Sequence, residues 1–161
     1  MNPDKALRIS VSGDREIKMT RVFDAPRRLV FEAHTKPDLL KRWLGVRGGW
    51  VLAECEVDLR VGGAYRYVWH HEGRGKRMGA GGTFREIVAP ERIVCTEKFD
   101  DAWYEGECLN TASFVELEGK TTLVVTLRYE STETRDRVLQ SPMESGVSEG
   151  YDKLAALLAS S

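Results

Sequence analysis

The feature that most constrains the fold is a strand followed by two short helices and then a long run of alternating strands. Leu7–Val11 and Glu16–Phe23 are predicted to form a hairpin that turns at Ser12-Gly13-Asp14. Its second strand leads into Asp24-Ala25-Pro26, where the proline fits the first turn of a helix because it lacks a backbone N–H. Thr35-Lys36-Pro37-Asp38 supplies a threonine N-cap for a second short helix, which is predicted to end near Trp43. We expect an antiparallel sheet that begins in this way to curve around a hollow.

Length, charge and cysteine content exclude several classes of protein. At 161 residues the chain, 1–161, is expected to form one domain that buries a core and still encloses a cavity. Its 24 basic and 25 acidic residues give a net charge of −1, so no overall field favours nucleic acid or a membrane surface as a partner. The sequence shows neither a signal peptide nor an apolar run that would span a membrane. Three cysteines without a CxxC pair favour neither disulfides nor zinc, so we expect a cytoplasmic protein without metal or cofactor.

Alternating apolar residues predict that most of the chain after Trp50 is an antiparallel sheet. The first strand of this run is predicted to turn one face inward, with Val51, Ala53, Cys55, Val57 and Leu59. The next has an aromatic face, made of Tyr65, Tyr67, Trp69 and His71. Further strands are predicted over 82–89, 92–100, 108–118 and 121–130, and the glycine run 78–82 is predicted to be a hairpin or a bulge. The last strand should place Leu123, Val125, Leu127 and Tyr129 inside.

The C-terminal segment is predicted to be a helix with one apolar face. Ser141-Pro142-Met143-Glu144 has the pattern of a capping box, with proline at the first helical position. Apolar residues then recur at helical spacing up to Leu158, at Met143, Val147, Tyr151 and Leu154. Gly146 and Gly150 adjoin this face and cost about 1 kcal/mol each relative to alanine, which favours close approach of another element or space left for a ligand.

Several short motifs, in this order, resemble one superfamily. They are Thr20–Pro26, Pro37–Trp43, Glu56–Tyr67, Gly82–Ile87, Pro90–Val94 and Met143–Gly146. Over about residues 17–159 the chain resembles the START-like, or SRPBCC, superfamily, which includes polyketide cyclases and the pollen-allergen fold. Within it, the chain is most similar to the family named after the C-terminal domain of the heat-shock chaperone ATPase activator.

This resemblance implies an α+β helix-grip fold. In such a fold a curved antiparallel sheet of six to seven strands wraps around a long C-terminal helix, and two short helices follow the first strand. The family is diverse in role, so the fold by itself does not specify an activity.

If the sheet wraps the last helix, one face of each strand supplies candidate ligand contacts. The predicted ligand-binding set combines two strands and the helix: Tyr65, Tyr67, Trp69, His71, Cys95, Glu97, Phe99, Val147, Gly150 and Tyr151. Plain core packing is the alternative for each aromatic residue. The polar content of the set favours a pocket, because buried Tyr O–H and Trp N–H groups need partners.

Glu97 shares the apolar face of its strand with Cys95 and Phe99, and burial of its carboxylate would be costly and would raise its pKa. Three interpretations are open: a rim or bulge position that returns it to solvent, a ligand-orienting or acid/base role, or fixed pairing with a buried Tyr or His. His71 lies on the same inner surface and could reach it, so Glu97 and His71 are the candidate catalytic residues. His34 is predicted to end the first helix and interact with its dipole.

The leading hypothesis is a protein that binds a small hydrophobic or aromatic ligand between the sheet and the last helix. A second hypothesis is a cyclase- or dehydratase-like enzyme that uses Glu97 or His71 in the same pocket. A third is a binding module for a protein partner, such as a chaperone. Binding without catalysis is the favoured alternative. The acidic loop 100–107 is open to three interpretations: a solvated loop, which is slightly favoured, a cavity lid or a partner contact. Exposed Trp103 and Tyr104 in this loop would be compatible with a homodimer.

Overall fold

The computed structural model describes residues 6–102 and 104–160, and it confirms the α+β helix-grip class. Trp103 lies outside the described residues. The elements, in chain order, are β1 (Arg8–Ser12), β2 (Glu16–Phe23), α1 (Arg27–Thr35), α2 (Pro37–Leu40), β3 (Trp50–Val57), β4 (Ala64–His71), β5 (Lys76–Val88), β6 (Arg92–Phe99), β7 (Cys108–Leu117), β8 (Lys120–Arg128), α3 (Thr132–Gln140) and α4 (Met143–Ala159).

One antiparallel sheet of eight strands, counted over the described residues, runs in the order β1-β2-β8-β7-β6-β5-β4-β3. The prediction of six to seven strands was therefore low. The predicted hairpin of β1 and β2 is confirmed, so the two short helices follow the second strand of the chain and not the first. Since β2 pairs with β8 and β3 lies at the far edge, α1 and α2 carry the chain across the sheet.

Strand β5 lies unusually close to both of its neighbours, and glycine makes this possible. The glycine run 78–82 is part of the strand itself, which starts at Lys76. A Cβ atom on Gly82 would collide with the backbone carbonyl of Thr96 in β6, and one on Gly81 would lie 2.7 Å from the backbone oxygen of Tyr65 in β4. The register also shifts between Phe84 and Glu86. Bulges and glycines of this kind bend a sheet.

The prediction for β3 was wrong in its first half. The register between β3 and β4 shifts between Leu52 and Glu54, so the alternation changes phase within the strand. Leu52 is therefore buried, while Ala53, predicted to face inward, is exposed. A one-residue bulge moves every earlier side chain to the other face, and the apolar pattern does not reveal its position.

Helix α4 is anchored through its C-terminal half. Tyr151, Leu154 and Leu158 are buried, as predicted, and the ring of Tyr151 packs edge-on against Phe23 of β2 at 5.8 Å. The buried guanidinium of Arg21, also in β2, donates to the Asp152 carboxylate at 2.9 Å. The predicted capping box does not form: Ser141 Oγ instead accepts a long 3.4 Å bond from the Met143 amide. No helix in the described part of the chain is long and apolar enough to cross a membrane.

Two glycine-to-alanine substitutions should change stability in opposite directions. Gly82→Ala forces the backbones of β5 and β6 apart, and we expect it to lower the free energy of unfolding by about 1–3 kcal/mol. Gly150→Ala places its methyl group 3.7 Å from the Trp43 carbonyl oxygen, an ordinary contact, and should raise that free energy by about 0.5–1 kcal/mol. Urea unfolding with a constant m-value measures both, and a shift of the two midpoints in the same direction would contradict this account.

Candidate functional site

Glu97 lies at the centre of the inner face of the sheet. In the register between β6 and β7 it pairs with Cys108, which is fully buried, and Cys95 pairs with Asn110. Tyr65 and Tyr67 of β4 share this face, with their rings 5.0 Å apart. The exposed side chain of Lys98 belongs to the opposite face of β6. Glu97 is therefore a carboxyl group in an aromatic interior.

All five tyrosines of the chain surround Glu97. They come from β4, from the loop before β7, from the end of β8 and from α4: Tyr65, Tyr67, Tyr104, Tyr129 and Tyr151. Burial raises the pKa of each phenol, and the negative charge of Glu97 raises it further. Burial and the charge of Glu97 also raise the pKa of the Cys108 thiol. The same two causes raise the pKa of Cys95 to about 12, although its hydrogen bond with Tyr65 lowers it. We call Glu97, Cys95, Cys108 and the five tyrosines the Glu97 cluster.

Glu97 has no partner of opposite charge. Burial raises the pKa of its carboxyl group, and among the described residues none forms a hydrogen bond or an ion pair with it. The structure thus gives it neither of the fixed partners that the sequence left open, a tyrosine or a histidine. A carboxyl group in this setting is held toward its neutral form.

Two tyrosine hydroxyls of the cluster also lack protein partners. Neither Tyr67 nor Tyr151 donates or accepts a hydrogen bond through its hydroxyl among the described residues, although only 8% of Tyr151 is exposed. Within the described chain, the sealed side-chain polar atoms without a partner are Arg21 Nε and His34 Nε2. The hydroxyls of Tyr67 and Tyr151 and the carboxyl of Glu97 are not among them, so they face space that water can enter.

Other members of the cluster are held in place. The Tyr65 hydroxyl donates to the Thr96 carbonyl at 2.5 Å, and Cys95 Sγ lies 3.9 Å from the same hydroxyl. The ring of Tyr129 packs edge-on against Tyr104 at 5.6 Å. The cluster therefore combines a fixed frame with a few polar groups that have no partner.

His71 does not reach Glu97, so this part of the prediction was wrong. Its Nε2 donates to the Gly48 carbonyl at 2.9 Å, its Nδ1 accepts from the Gly73 amide at 3.2 Å, and its ring packs against Trp50. The reason is the length of β4, which carries His71 to the far end of the strand while Tyr65 and Tyr67 lie level with Glu97. His71 fixes a loop.

The remaining predicted contacts lie around the cluster. Trp69 is buried and donates from Nε1 to the Leu44 carbonyl at 2.9 Å, while its ring lies 5.9 Å from that of Tyr67. Phe99 and Val147 are partly buried against the core. Gly150 faces Trp43, with 3.7 Å between the position of its Cβ and the Trp43 carbonyl oxygen.

Sequence reasoning left three cluster members, Cys108, Tyr104 and Tyr129, out of the site. The alternating pattern of β8 did predict that Tyr129 faces inward, so its signal was available. Tyr104, in contrast, lies in a loop without periodicity. It was predicted to be exposed, but only 9% of its surface is accessible to solvent. The homodimer prediction relied on two exposed aromatic residues. Tyr104 is buried, and Trp103 lies outside the described residues.

A surface groove of about 620 Å³ opens beside the cluster, and Tyr104 lines it. Its other lining residues come from the loop before β7, the end of β8 and the start of α3: Ala102, Glu105, Glu130, Ser131, Glu133, Thr134 and Arg137. Glu105, Glu130 and Glu133 carry carboxylates. The guanidinium of Arg137 forms an ion pair with Glu133 at 2.8 Å. The groove wall is therefore negative, and Tyr104 belongs both to this wall and to the Glu97 cluster.

His34 lies in the last turn of α1, as predicted, and it is a buried neutral residue. Its Nδ1 donates to the Val30 carbonyl at 2.7 Å, and its ring packs edge-on against Trp43 and Phe114. Burial lowers its pKa to about 4, so the ring carries no charge near neutral pH. No group of three or more His, Cys, Asp or Glu side chains in the described ranges is placed to hold a metal ion.

The fold and this inward-facing acid define a helix-grip protein with polar groups inside its sheet. A family model for Activator of Hsp90 ATPase homolog 1-like protein matches residues 24–159, and the chain belongs to that family. This result confirms the resemblance that the motifs indicated.

Solved structures agree with the family assignment. A crystal structure of a protein from Rhodobacter sphaeroides is 31% identical with a TM-score of 0.91, over 97% of this chain and 99% of that one. A protein from Chromobacterium violaceum is 31% identical with a TM-score of 0.73, over 89% and 96%. CalU16 from Micromonospora echinospora, at 20% identity, a TM-score of 0.63 and coverage of 95% and 83%, shares the fold. No curated protein matches the chain.

The buried imidazole predicts a loss of stability in acid. The unfolded chain takes up a proton on His34 near pH 6.5, whereas the folded protein does so only near pH 4, so its stability falls as the pH drops through this window. The gap corresponds to roughly 3 kcal/mol. Urea unfolding of the wild type and His34→Asn between pH 7 and 4 should show a flatter profile for the variant. Parallel profiles would contradict the neutral assignment.

Glu97 predicts a pH dependence of the opposite sign. Because its pKa in the folded protein lies above the ordinary 4.5, the folded state keeps a proton that the unfolded state loses, and stability falls as the pH rises above 4.5. We expect Glu97→Gln to be more stable than the wild type at pH 8, with a smaller difference at pH 4.5. Thermal unfolding across this range measures it, and the exposed Glu56→Gln on β3 serves as the control, which should follow the wild type.

Proposed function

We propose that this protein binds a small hydrophobic or aromatic molecule inside the curve of its sheet, between β4, β6 and β7 on one side and α4 on the other. The observation that carries the proposal is the group of inward polar atoms on Glu97, Tyr67 and Tyr151, which have no partner within residues 6–102 and 104–160. Each would cost about 1–3 kcal/mol if it were sealed in a dry core. A space that admits water or a ligand accounts for them without this cost.

The surroundings of these atoms suit an aromatic ligand. Rings line the inner face of β4 and β5 in close succession, with centroid distances of 5.0 Å between Tyr65 and Tyr67 and 5.4 Å between Tyr65 and Phe84. The ring of Trp69 extends the row. Small-molecule sites commonly combine an apolar wall with a few convergent polar groups, which is the composition found here.

A second candidate function is acid/base catalysis in the same place, as a cyclase or dehydratase would require. The raised pKa of Glu97 favours it, because a general acid works best when its pKa approaches the working pH. Because the His71 ring is bound to the Gly48 carbonyl and the Gly73 amide, Glu97 is the remaining candidate of the original pair. A chaperone or a second copy of the chain as partner stays a prediction.

The first experiment is native mass spectrometry of freshly purified protein, followed by titration with the neutral fluorophore N-phenyl-1-naphthylamine. We expect a retained small molecule, or a saturable rise in dye fluorescence. Cys95→Phe adds a ring to the inner face of β6 and should weaken dye binding at least tenfold. Lys98→Phe adds the same ring to the opposite, exposed face and should leave binding unchanged.

Circular dichroism and urea unfolding establish that both variants are folded. Equal dye binding by folded Cys95→Phe and Lys98→Phe, or no binding by the wild type together with no retained molecule, would contradict an interior site. Consumption of a bound compound by the wild type, abolished in Glu97→Gln while binding persists, would favour the enzyme over the binding protein.

A further inference from the structure

The Glu97 cluster contains one carboxyl group and no base. Its other titratable members, on β4, β6, β7, α4 and the two loops, are all phenols and thiols, and Glu97 raises the pKa of every one of them. Two cationic side chains, Arg21 and Lys41, interact mainly with groups other than Glu97. Arg21 lowers the pKa of Tyr151, but its guanidinium is bound to Asp152 at 2.9 Å, and Lys41 acts on Cys55. Whenever Glu97 is ionised, its negative charge is therefore not offset by a cation among the members of the cluster.

Phenol rings add to this preference. The face of an aromatic ring carries partial negative charge and attracts cations, most strongly where water is excluded. The rings of Tyr65 and Tyr67 lie tilted against each other beside Glu97. In the part of the chain that the structure describes, the hydroxyls of Tyr67 and Tyr151 have no hydrogen-bond partner, so their oxygens are free to accept hydrogen bonds from an incoming N–H group.

The groove outside carries charge of the same sign. Glu105, Glu130 and Glu133 lie along it, and Arg137 offsets only the last of these. A groove lined by one sign of charge raises the local concentration of ligands of the opposite sign. Since Tyr104 belongs both to the groove and to the cluster, the negative wall leads toward Glu97.

From these two features, and on the basis of the proposed function, we propose that the ligand is an organic amine with an apolar or aromatic body, held as its ammonium ion by Glu97 and the tyrosines around it. The body lies against the aromatic rings of β4, and the N–H groups donate to Glu97 and to the hydroxyls of Tyr67 and Tyr151. Where Glu97 is protonated before binding, its proton leaves to the solvent as the ion pair forms. A neutral ligand that accepts a hydrogen bond from protonated Glu97 is the competing case, and it releases no proton.

A matched pair of probes separates these cases. 2-Naphthylmethylamine and 2-naphthylmethanol share the same aromatic body and differ in the charged group. At pH 7 we expect the amine to bind at least tenfold more tightly, as a charge-assisted hydrogen bond in a partly buried site requires. Isothermal titration calorimetry in two buffers with different ionisation enthalpies should show proton release for the amine and none for the alcohol.

Variants of the protein identify which side chain causes the preference for the amine over the alcohol. Glu97→Gln should reduce the affinity for the amine to that for the alcohol, while the alcohol binds within about threefold of its wild-type affinity and so shows that the variant is folded. Glu97→Asp keeps the charge and should retain part of the preference. Glu56→Gln, on the exposed face of β3, should change neither affinity. In Glu105→Gln, association of the amine should slow at low salt while association of the alcohol does not.

Each outcome decides between the two proposals. Equal binding of both probes, or a preference for the amine that survives in Glu97→Gln, overturns the amine proposal and leaves the proposed function intact. Binding of neither probe, together with no displacement of N-phenyl-1-naphthylamine, contradicts both. Preference for the alcohol supports the competing case, in which Glu97 acts as a neutral donor.

Discussion

The close approach of β5 to β4 and β6 is the constraint on which the rest of the molecule depends. Where Gly81 and Gly82 lie against the carbonyls of Tyr65 and Thr96, no side chain fits. Glycines at such positions allow a sheet to bend. Glu97 of β6 and the tyrosines of β4 lie on either side of this strand, so their arrangement depends on two positions that carry no Cβ atom.

Much of this architecture could be predicted from residue patterns. The proline positions and the apolar stripe of α4 predicted the helices, and alternation in β4 and β8 predicted which side chains face inward. The failures occurred where alternation breaks. The bulge between Leu52 and Glu54 shifts one strand by a residue, and the glycine run continues as strand where a turn or bulge was expected. Such irregularities depend on backbone contacts between strands and leave no trace in hydrophobicity.

At the candidate site, too, the alternating pattern predicted some features correctly and missed others. Strand parity was enough to place Glu97 inside with Tyr65 and Tyr67. It could not tell that His71 is bound to a loop carbonyl, because both residues share the predicted face and only distance along the strand separates them. Tyr104 could not have been predicted at all from periodicity, since its position depends on how an irregular loop folds back onto Tyr129. The contribution of such a loop residue becomes visible only in three dimensions.

The uneven anchoring of α4 has an evolutionary consequence. Its C-terminal half is fixed by Leu154, Leu158 and the Arg21–Asp152 pair, whereas its first two turns, with Gly146 and Gly150, bury little. Substitutions in the first half should therefore carry a small thermodynamic cost, while the second half maintains the native state. A single scaffold can in this way accumulate changes beside its sheet without losing the ability to fold.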